Sequence, residues 1–171
     1  RALDIDLIFC GNSEEHTDRR DLVVFLKEAL AGSAITFKTC GYFGEPNVWG
    51  ADYDAVLARA KMGLNLNRRE DHLYSSARLA QLMGNGILAF ISRESDMERL
   101  IPEHAAVFFE NREDLLEKIL TYAEDDALRK EKAAAGRAHY RKHFSCEHVA
   151  RYIVERTRGL PLSANYLWRD F

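Results

Sequence analysis

Four short polar segments carry residue types able to hold a phosphate-bearing ligand. They are Gly11-Asn12-Ser13, Gly41-Tyr42-Phe43-Gly44, Asn67-Arg68-Arg69-Glu70 with Tyr74-Ser75-Ser76, and Ser92-Arg93, and each follows an apolar run of strand length. Glycine lets a backbone approach a ligand closely, amides and hydroxyls orient it, and arginine supplies charge. A helix opening at Ser75-Ser76 would present free N–H groups and the positive end of its dipole, a ready seat for an anion. Arg78, in that helix's first turn, adds a forked guanidinium matched to phosphate, and Arg19 and Arg20 open another helix that can face the same space. The chemistry this combination suits is the grip of a diphosphate. Each part also has a plainer reading. Gly-Asn-Ser is an ordinary turn, Arg78 a surface residue of an amphipathic helix, and Arg68-Arg69-Glu70-Asp71 a self-compensating solvated cluster. Convergence of the segments at one sheet edge is what separates the two readings.

The elements between these segments alternate. Asp4 to Cys10 reads as a strand entering a loop at Gly11, and Asp18 stands before a helical pattern from Arg19 to Ala31 with Leu22, Val23, Leu26 and Leu30 on one face. Further strands are expected at Ala34–Thr39, Lys61–Asn67, Ile87–Ile91 and Ala105–Phe109. Helices are expected from Asp52 or Asp54 to Ala60, from Ala77 to Asn85 behind a Ser75-Ser76 cap, and after Asn111, with two more over Asp126–His143 and Cys146–Arg158. The run Ile87 to Ile91 is apolar throughout, as in a strand buried on both faces of a parallel sheet. Such alternation predicts an α/β, doubly wound, mainly parallel sheet of five or six strands flanked by helices, and ligands of such a sheet bind outside the carboxyl ends of its strands.

Composition narrows the function classes. The 171 residues are 47% hydrophobic, 30% charged and 11% aromatic, with a formal net charge of −3. That is one packed domain, not a disordered, collagenous or low-complexity chain, and the near-neutral balance speaks against a dedicated nucleic-acid binder. No apolar run approaches the eighteen or so residues of a membrane span. Cys10, Cys40 and Cys146 form no CxxC pair, so a reduced, cytoplasmic domain with free thiols is expected, even with Cys10 and Cys40 near each other at strand ends. The dinucleotide fingerprint GxGxxG and the Walker lysine loop are both absent, and the strand ends at Cys10-Gly11-Asn12 and Asn65-Leu66-Asn67 lack the carboxylates of a phosphoacceptor. His139 and His143 sit four apart with His148 beyond, but among Arg137, Arg141 and Lys142 they read as a solvated helix face, so no metal site is expected. Residues 129–143 hold six Lys/Arg against Glu131 alone. The stripe complements the dipole of a helix whose other end carries Glu124-Asp125-Asp126, and peripheral contact with anionic lipid is the alternative.

The stretch Tyr74 to Gly86, with Ser76, Arg78 and Gly86 ahead of the Ile87–Ile91 strand, resembles the donor-site helix of the GT-B glycosyltransferases of the group 1 kind. Those enzymes commonly carry S-x-R-x-x-E-x-x-A-x-G before an apolar strand; here Gln81 replaces the glutamate and Gly84 the alanine. Ala60 to Asn67 is similar to the family's "AKIGLN" strand, and Asn111-Arg112-Glu113-Asp114-Leu115 and Ala135-Gly136-Arg137 extend the likeness over most of residues 4–158.

The resemblance implies a Rossmann-like half of a GT-B enzyme, with residues 1–159 binding a nucleotide-diphosphate sugar and 160–171 forming a C-terminal tail. A start at Arg1 without methionine suits a piece of a longer polypeptide whose N-terminal domain holds the acceptor (a glycan, a lipid-linked molecule or a small molecule), and processing or a lost disordered stretch would look the same. The apolar tail with Tyr166, Trp168 and Phe171 packs either on its own domain or on that absent neighbour. By the same resemblance Ser75, Ser76 and Arg78 hold the pyrophosphate, with Arg78 stabilising the leaving diphosphate. The strand-end rule puts Gly11, Asn12, Arg19, Asn67 and Tyr74 around it; the resemblance seats the base at Gly41 and Tyr42, with Tyr42 to stack on it, and gives the ribose hydroxyls to Gln81. The activity implied is metal-independent hexosyl transfer with no cofactor beyond the sugar donor. Many retaining relatives place a second acid eight positions before the helix glutamate, where this chain has Leu73, so the stereochemical outcome is not carried over. Two other functions stay open: a non-catalytic nucleotide-binding or partner-docking module on the same fold, and an isomerase acting on a nucleotide sugar.

Overall fold

The structure, a computed structural model, describes residues 2–12, 18–67 and 72–169. Ser13, the Arg68-Arg69-Glu70-Asp71 cluster, Arg1 and Phe171 lie outside the described residues. Five strands, β1 (Ile5–Cys10), β2 (Phe37–Cys40), β3 (Ala60–Asn65), β4 (Leu88–Ser92) and β5 (Val107–Phe109), form one sheet in the order β2-β1-β3-β4-β5. Every neighbouring pair is parallel. The order reverses between β1 and β3, which places the crevice of a doubly wound sheet at their carboxyl ends. Helices α1 (Asp18–Ala29), α2 (Gly50–Leu57), α3 (Ala77–Asn85), α4 (Arg112–Glu124), α5 (Asp126–His143) and α6 (Cys146–Thr157) complete the fold. Two short 3-10 turns follow β4, at Arg93–Ser95 and Met97–Arg99.

Alternating side chains divide the core. Leu7, Phe9, Leu64 and Phe90 meet Val23 and Leu26 of α1 and Leu115 and Ile119 of α4 on one face. Ile8, Ala89 and Ile91 meet Leu79, Leu82 and Met83 of α3 and Phe108 on the other. With both faces covered, the strands read as continuous apolar runs. Asn111 caps α4: Asp114 N donates to Asn111 Oδ1 at 2.9 Å, and Asp114 Oδ2 in turn accepts from Glu110 N, one residue ahead of the cap, at 2.9 Å.

Several boundaries differ from expectation for local reasons. β2 begins at Phe37, not Ala34, because Ser33 Oγ donates to the Leu30 carbonyl and accepts from Ile35 N, so the chain is still turning out of α1. β5 begins at Val107 because Ala105 N closes a turn onto the Pro102 carbonyl at 2.8 Å. β3 ends at Asn65, and Leu66 and Asn67 leave the sheet for the site. His139 is half-buried with Nε2 2.8 Å from the Leu100 carbonyl, so it ties α5 to the segment before β5 instead of lying on a solvated face.

The tail packs on its own domain. Tyr166 is buried, and the rings of Tyr152 and His148 lie 4.9 and 4.6 Å from it. The Trp168 ring lies tilted against that of Phe144, 5.2 Å between centroids. The buried Glu155 carboxylate accepts from Tyr166 Oη at 2.9 Å, Ser163 N at 3.2 Å and Ser163 Oγ. These donors, the Ser163 hydroxyl first, hold its carboxyl below the usual glutamate value of 4.5. At the carboxyl ends of β1 and β2 the turns that follow them touch. Gly11 N donates to the Cys40 carbonyl at 3.1 Å. Gly41 has φ +83°, and a Cβ there would lie 2.2 Å from both the Gly11 carbonyl oxygen and Asn47 Oδ1.

Two outcomes follow. A carboxylate with a lowered folded-state pKa favours folding above its unfolded value, and that contribution disappears as pH falls through the folded value. The contribution therefore begins to fall below the ordinary glutamate value of 4.5, and acidification through the lower folded-state value should release the tail, as should Glu155→Ala at neutral pH. In a Trp49→Phe background this reads as a red shift of Trp168 emission and new proteolytic cleavage after residue 159; unchanged emission and protection would contradict the Glu155 clasp. Gly41→Ala combines a left-handed backbone penalty with a backbone clash and should cost about 3 kcal/mol in urea unfolding. Gly44→Ala, at φ +78° with nothing within 4 Å, should cost only about 1–2 kcal/mol.

Candidate functional site

Two guanidiniums converge beneath the crevice. Arg78, in the first turn of α3, reaches across to the strand ends: Nε donates to the Cys10 carbonyl at 3.0 Å and Nη1 to the Leu66 carbonyl at 2.9 Å. Nη1 also lies 3.4 Å from Ser76 Oγ. Arg19, from the start of α1, is 8% exposed and donates from Nη2 to the Asn12 carbonyl at 2.8 Å. Both rest on the Phe9 ring, at 4.9 Å for Arg78 and 5.9 Å for Arg19. Neither forms an ion pair with a carboxylate among the described residues. Arg19 Nε is buried without a hydrogen-bond partner among them. Burial pulls Arg78 below the usual arginine value, and the charge of Arg19 adds to the pull. Such groups are costly to hold away from water unless an anion joins them.

The amino end of α3 is set by an asparagine, not by the serines. Ser76 is the N-cap residue, but its side chain makes no capping bond; its hydroxyl lies 3.4 Å from Asn65 Oδ1. Asn67 instead accepts from Ser76 N through Oδ1 at 3.3 Å and donates from Nδ2 to the Tyr74 carbonyl at 3.2 Å. Ser75 Oγ turns to the Ser76 carbonyl at 3.3 Å.

A cavity of about 360 Å³ opens over this arrangement, lined by Gly11, Asn12, Trp49, Ser76, Arg78 and Gln81 among others. Cys10 and Cys40 also line it as register partners on β1 and β2, both free thiols, and burial with the Cys40 neighbour pushes the Cys10 thiol well up. Tyr42 does not stand at the rim. It is 3% exposed and packs edge-on against Phe9 at 5.5 Å, which removes its ring as a stacking surface. The exposed aromatic of the cavity is Trp49, at 78%, just before α2. Sequence reasoning passed over Trp49; its one signal was an aromatic beside Gly50 in a loop that follows a strand. Tyr74 is exposed and Gly41 buried, and neither lines this cavity. Arg20 is exposed.

A second cavity, about 650 Å³, lies at the carboxyl ends of β3, β4 and β5 and the amino ends of α1 and α4. Arg19, Leu66 and Asn67 line it. The two cavities meet at the arginines. Asn12 lines the first and is held by Arg19 of the second, and Leu66 lines the second and is held by Arg78 of the first.

The fold recurs in solved structures. TarM aligns with a TM-score of 0.70 at 13% identity, over 90% of this chain and 35% of its own. HepE of Anabaena, solved in complex with UDP, aligns at 0.61 and 15% identity over 91% of this chain and 41% of its own. Sucrose-phosphate synthase of Thermosynechococcus elongatus aligns at 0.61 and 19% identity over 90% and 38%. The chain thus spans well under half the length of each. No curated relative matches it in sequence. No helix among the described residues is long and apolar enough to cross a membrane. The sheet is the Rossmann-like half of the GT-B architecture expected from the α3 motif. The profile of the glycosyl transferase-like family covers residues 19–155, from Arg19 through the arginine-bearing α3 to Glu155 of α6, and the chain belongs to that family.

Proposed function

We propose that this chain binds a nucleotide-diphosphate sugar and takes part in hexosyl transfer to an acceptor held by a domain outside it. The observation that carries the reading is the pair Arg19 and Arg78: two guanidiniums drawn from water onto one phenyl ring, tethered by carbonyls and lacking any carboxylate partner among the described residues. A diphosphate supplies the missing charge. The amino end of α3 adds its dipole, and Gly11 gives the phosphates close access to backbone. The nucleoside occupies the cavity walled by Val48, Trp49 and Tyr53, with Trp49 offering the base an aromatic face and Gln81 its amide to the ribose hydroxyls.

In the transfer, the bond between the anomeric carbon and the diphosphate oxygen breaks, and its electron pair stays on that oxygen. Arg78 and Arg19 lie where that charge develops, so their stabilisation grows towards the transition state without a bound metal. The UDP held by HepE supports a nucleotide as the ligand of this fold.

Calorimetric titration with uridine, guanosine, adenosine, cytidine and thymidine diphosphates tests the reading. One or more should bind, and Arg78→Ala should weaken that binding about thirty- to hundredfold, or about 2–3 kcal/mol, while Arg78→Lys retains part of it. Thermal melting of each variant separates lost binding from lost folding. Failure of every diphosphate to bind the unsubstituted chain would remove the proposal. Binding by the complete protein with neither transfer nor donor hydrolysis would favour a docking module.

A further inference from the structure

We infer that the second cavity receives the sugar carried by the nucleotide, and that its carboxylates select a hydroxyl-rich sugar with no carboxylate of its own. The inference rests on the diphosphate seat at Arg19 and Arg78, because that seat joins the two cavities. A nucleotide sugar has its nucleoside on one side of the diphosphate and its sugar on the other. The smaller cavity has the aromatic wall; the larger has the polar one.

Arg19 is the physical link. Its Nη2 is committed to the Asn12 carbonyl, which belongs to the first cavity. Its Nε, buried and without a partner among the described residues, belongs to a side chain that lines the second. A donor in that position meets an acceptor oxygen of a sugar or of its phosphate. Around it stand Asp18, Asp21, Glu94 and Glu110, none in an ion pair among the described residues, and the mutually paired Arg112 and Glu113. Asn67 adds an amide. Carboxylates accept hydrogen bonds from vicinal hydroxyls, and arginine and asparagine donate to ring and hydroxyl oxygens. Among the described residues, five carboxylates against two guanidiniums leave the lining negative. A hexuronate brought there adds like charge, and two such charges several ångströms apart in a partly desolvated cavity repel by roughly tenfold in affinity. A neutral or amine-bearing sugar meets no such barrier.

The test takes whichever nucleoside diphosphate binds the full chain and compares its hexose ester with the hexuronate ester differing only at C6. The expected result is a dissociation constant about tenfold lower for the hexose, with the gap narrowing to within about threefold in Glu94→Gln/Glu110→Gln. The carboxamides keep shape and hydrogen bonding while removing charge, and a melting curve checks that the variant folds. Equal affinities in the unsubstituted chain, or a gap unchanged in the folded variant, would overturn the sugar assignment while leaving the diphosphate seat intact. Failure of every nucleoside diphosphate to bind would overturn both.

Discussion

The crevice depends on an unbalanced charge. Arg78 spends its Nε and Nη1 on the Cys10 and Leu66 carbonyls, so one side chain fixes the end of β1, the exit of β3 and the first turn of α3 against each other. Carbonyls are dipoles, not counter-ions. They orient a guanidinium but leave its charge in place, and Phe9 beneath adds the negative face of a ring without cancelling it. The result is a rigid cationic floor at the topological switch point, held in readiness by groups that a ligand need not displace.

The sheet makes this floor possible. Parallel register puts Cys10 beside Cys40 and Ile8 beside Gly63, so three strand ends open at one level. β3 then stops two residues early, and those two residues do separate work. Leu66 turns its carbonyl to Arg78, and Asn67 turns its amide to the start of α3. Buried at 5% exposure, Asn67 anchors the residue just ahead of the helix, and the Ser76 hydroxyl stays beside Arg78 instead of being committed to the helix backbone. The close contact of the Gly11 and Gly41 turns walls the same space from the β2 side.

What could be read in the sequence was whatever local periodicity or backbone chemistry dictates. The span of α3, the Asn111–Asp114 cap and the parallel alternation are of this kind, and each stands where expected. The place of Arg78 in the first turn of α3 was legible for the same reason, as an arginine one residue past a Ser-Ala helix start. The misplaced residues were those whose role is decided by packing between distant segments. Tyr42 and Trp49 are both aromatics in one loop, and only the fold shows that Phe9 captures the first while the second stays in solvent. The Asn65-Leu66-Asn67 run reads as strand by alternation, and the departure of its last two residues follows from bonds to Tyr74, Ser76 and Arg78 that no local pattern encodes.

The glutamine at position 81 fits this electrostatic picture. Residues three apart on a helix are surface neighbours, so position 81 lies next to Arg78 along α3. A glutamate there would place a carboxylate within pairing reach of the guanidinium, offsetting part of its charge and competing for the donors now given to Cys10 and Leu66. The amide at Gln81 lines the same cavity and keeps hydrogen-bonding capacity for hydroxyls while leaving Arg78 cationic. Among the described residues the carboxylates line the second cavity instead. The first cavity thus carries Arg78 as its charged lining among the described residues, the second gathers five carboxylates beside Arg19 and Arg112, and the carbonyls of Asn12 and Leu66 tie the two arginines across the boundary between them.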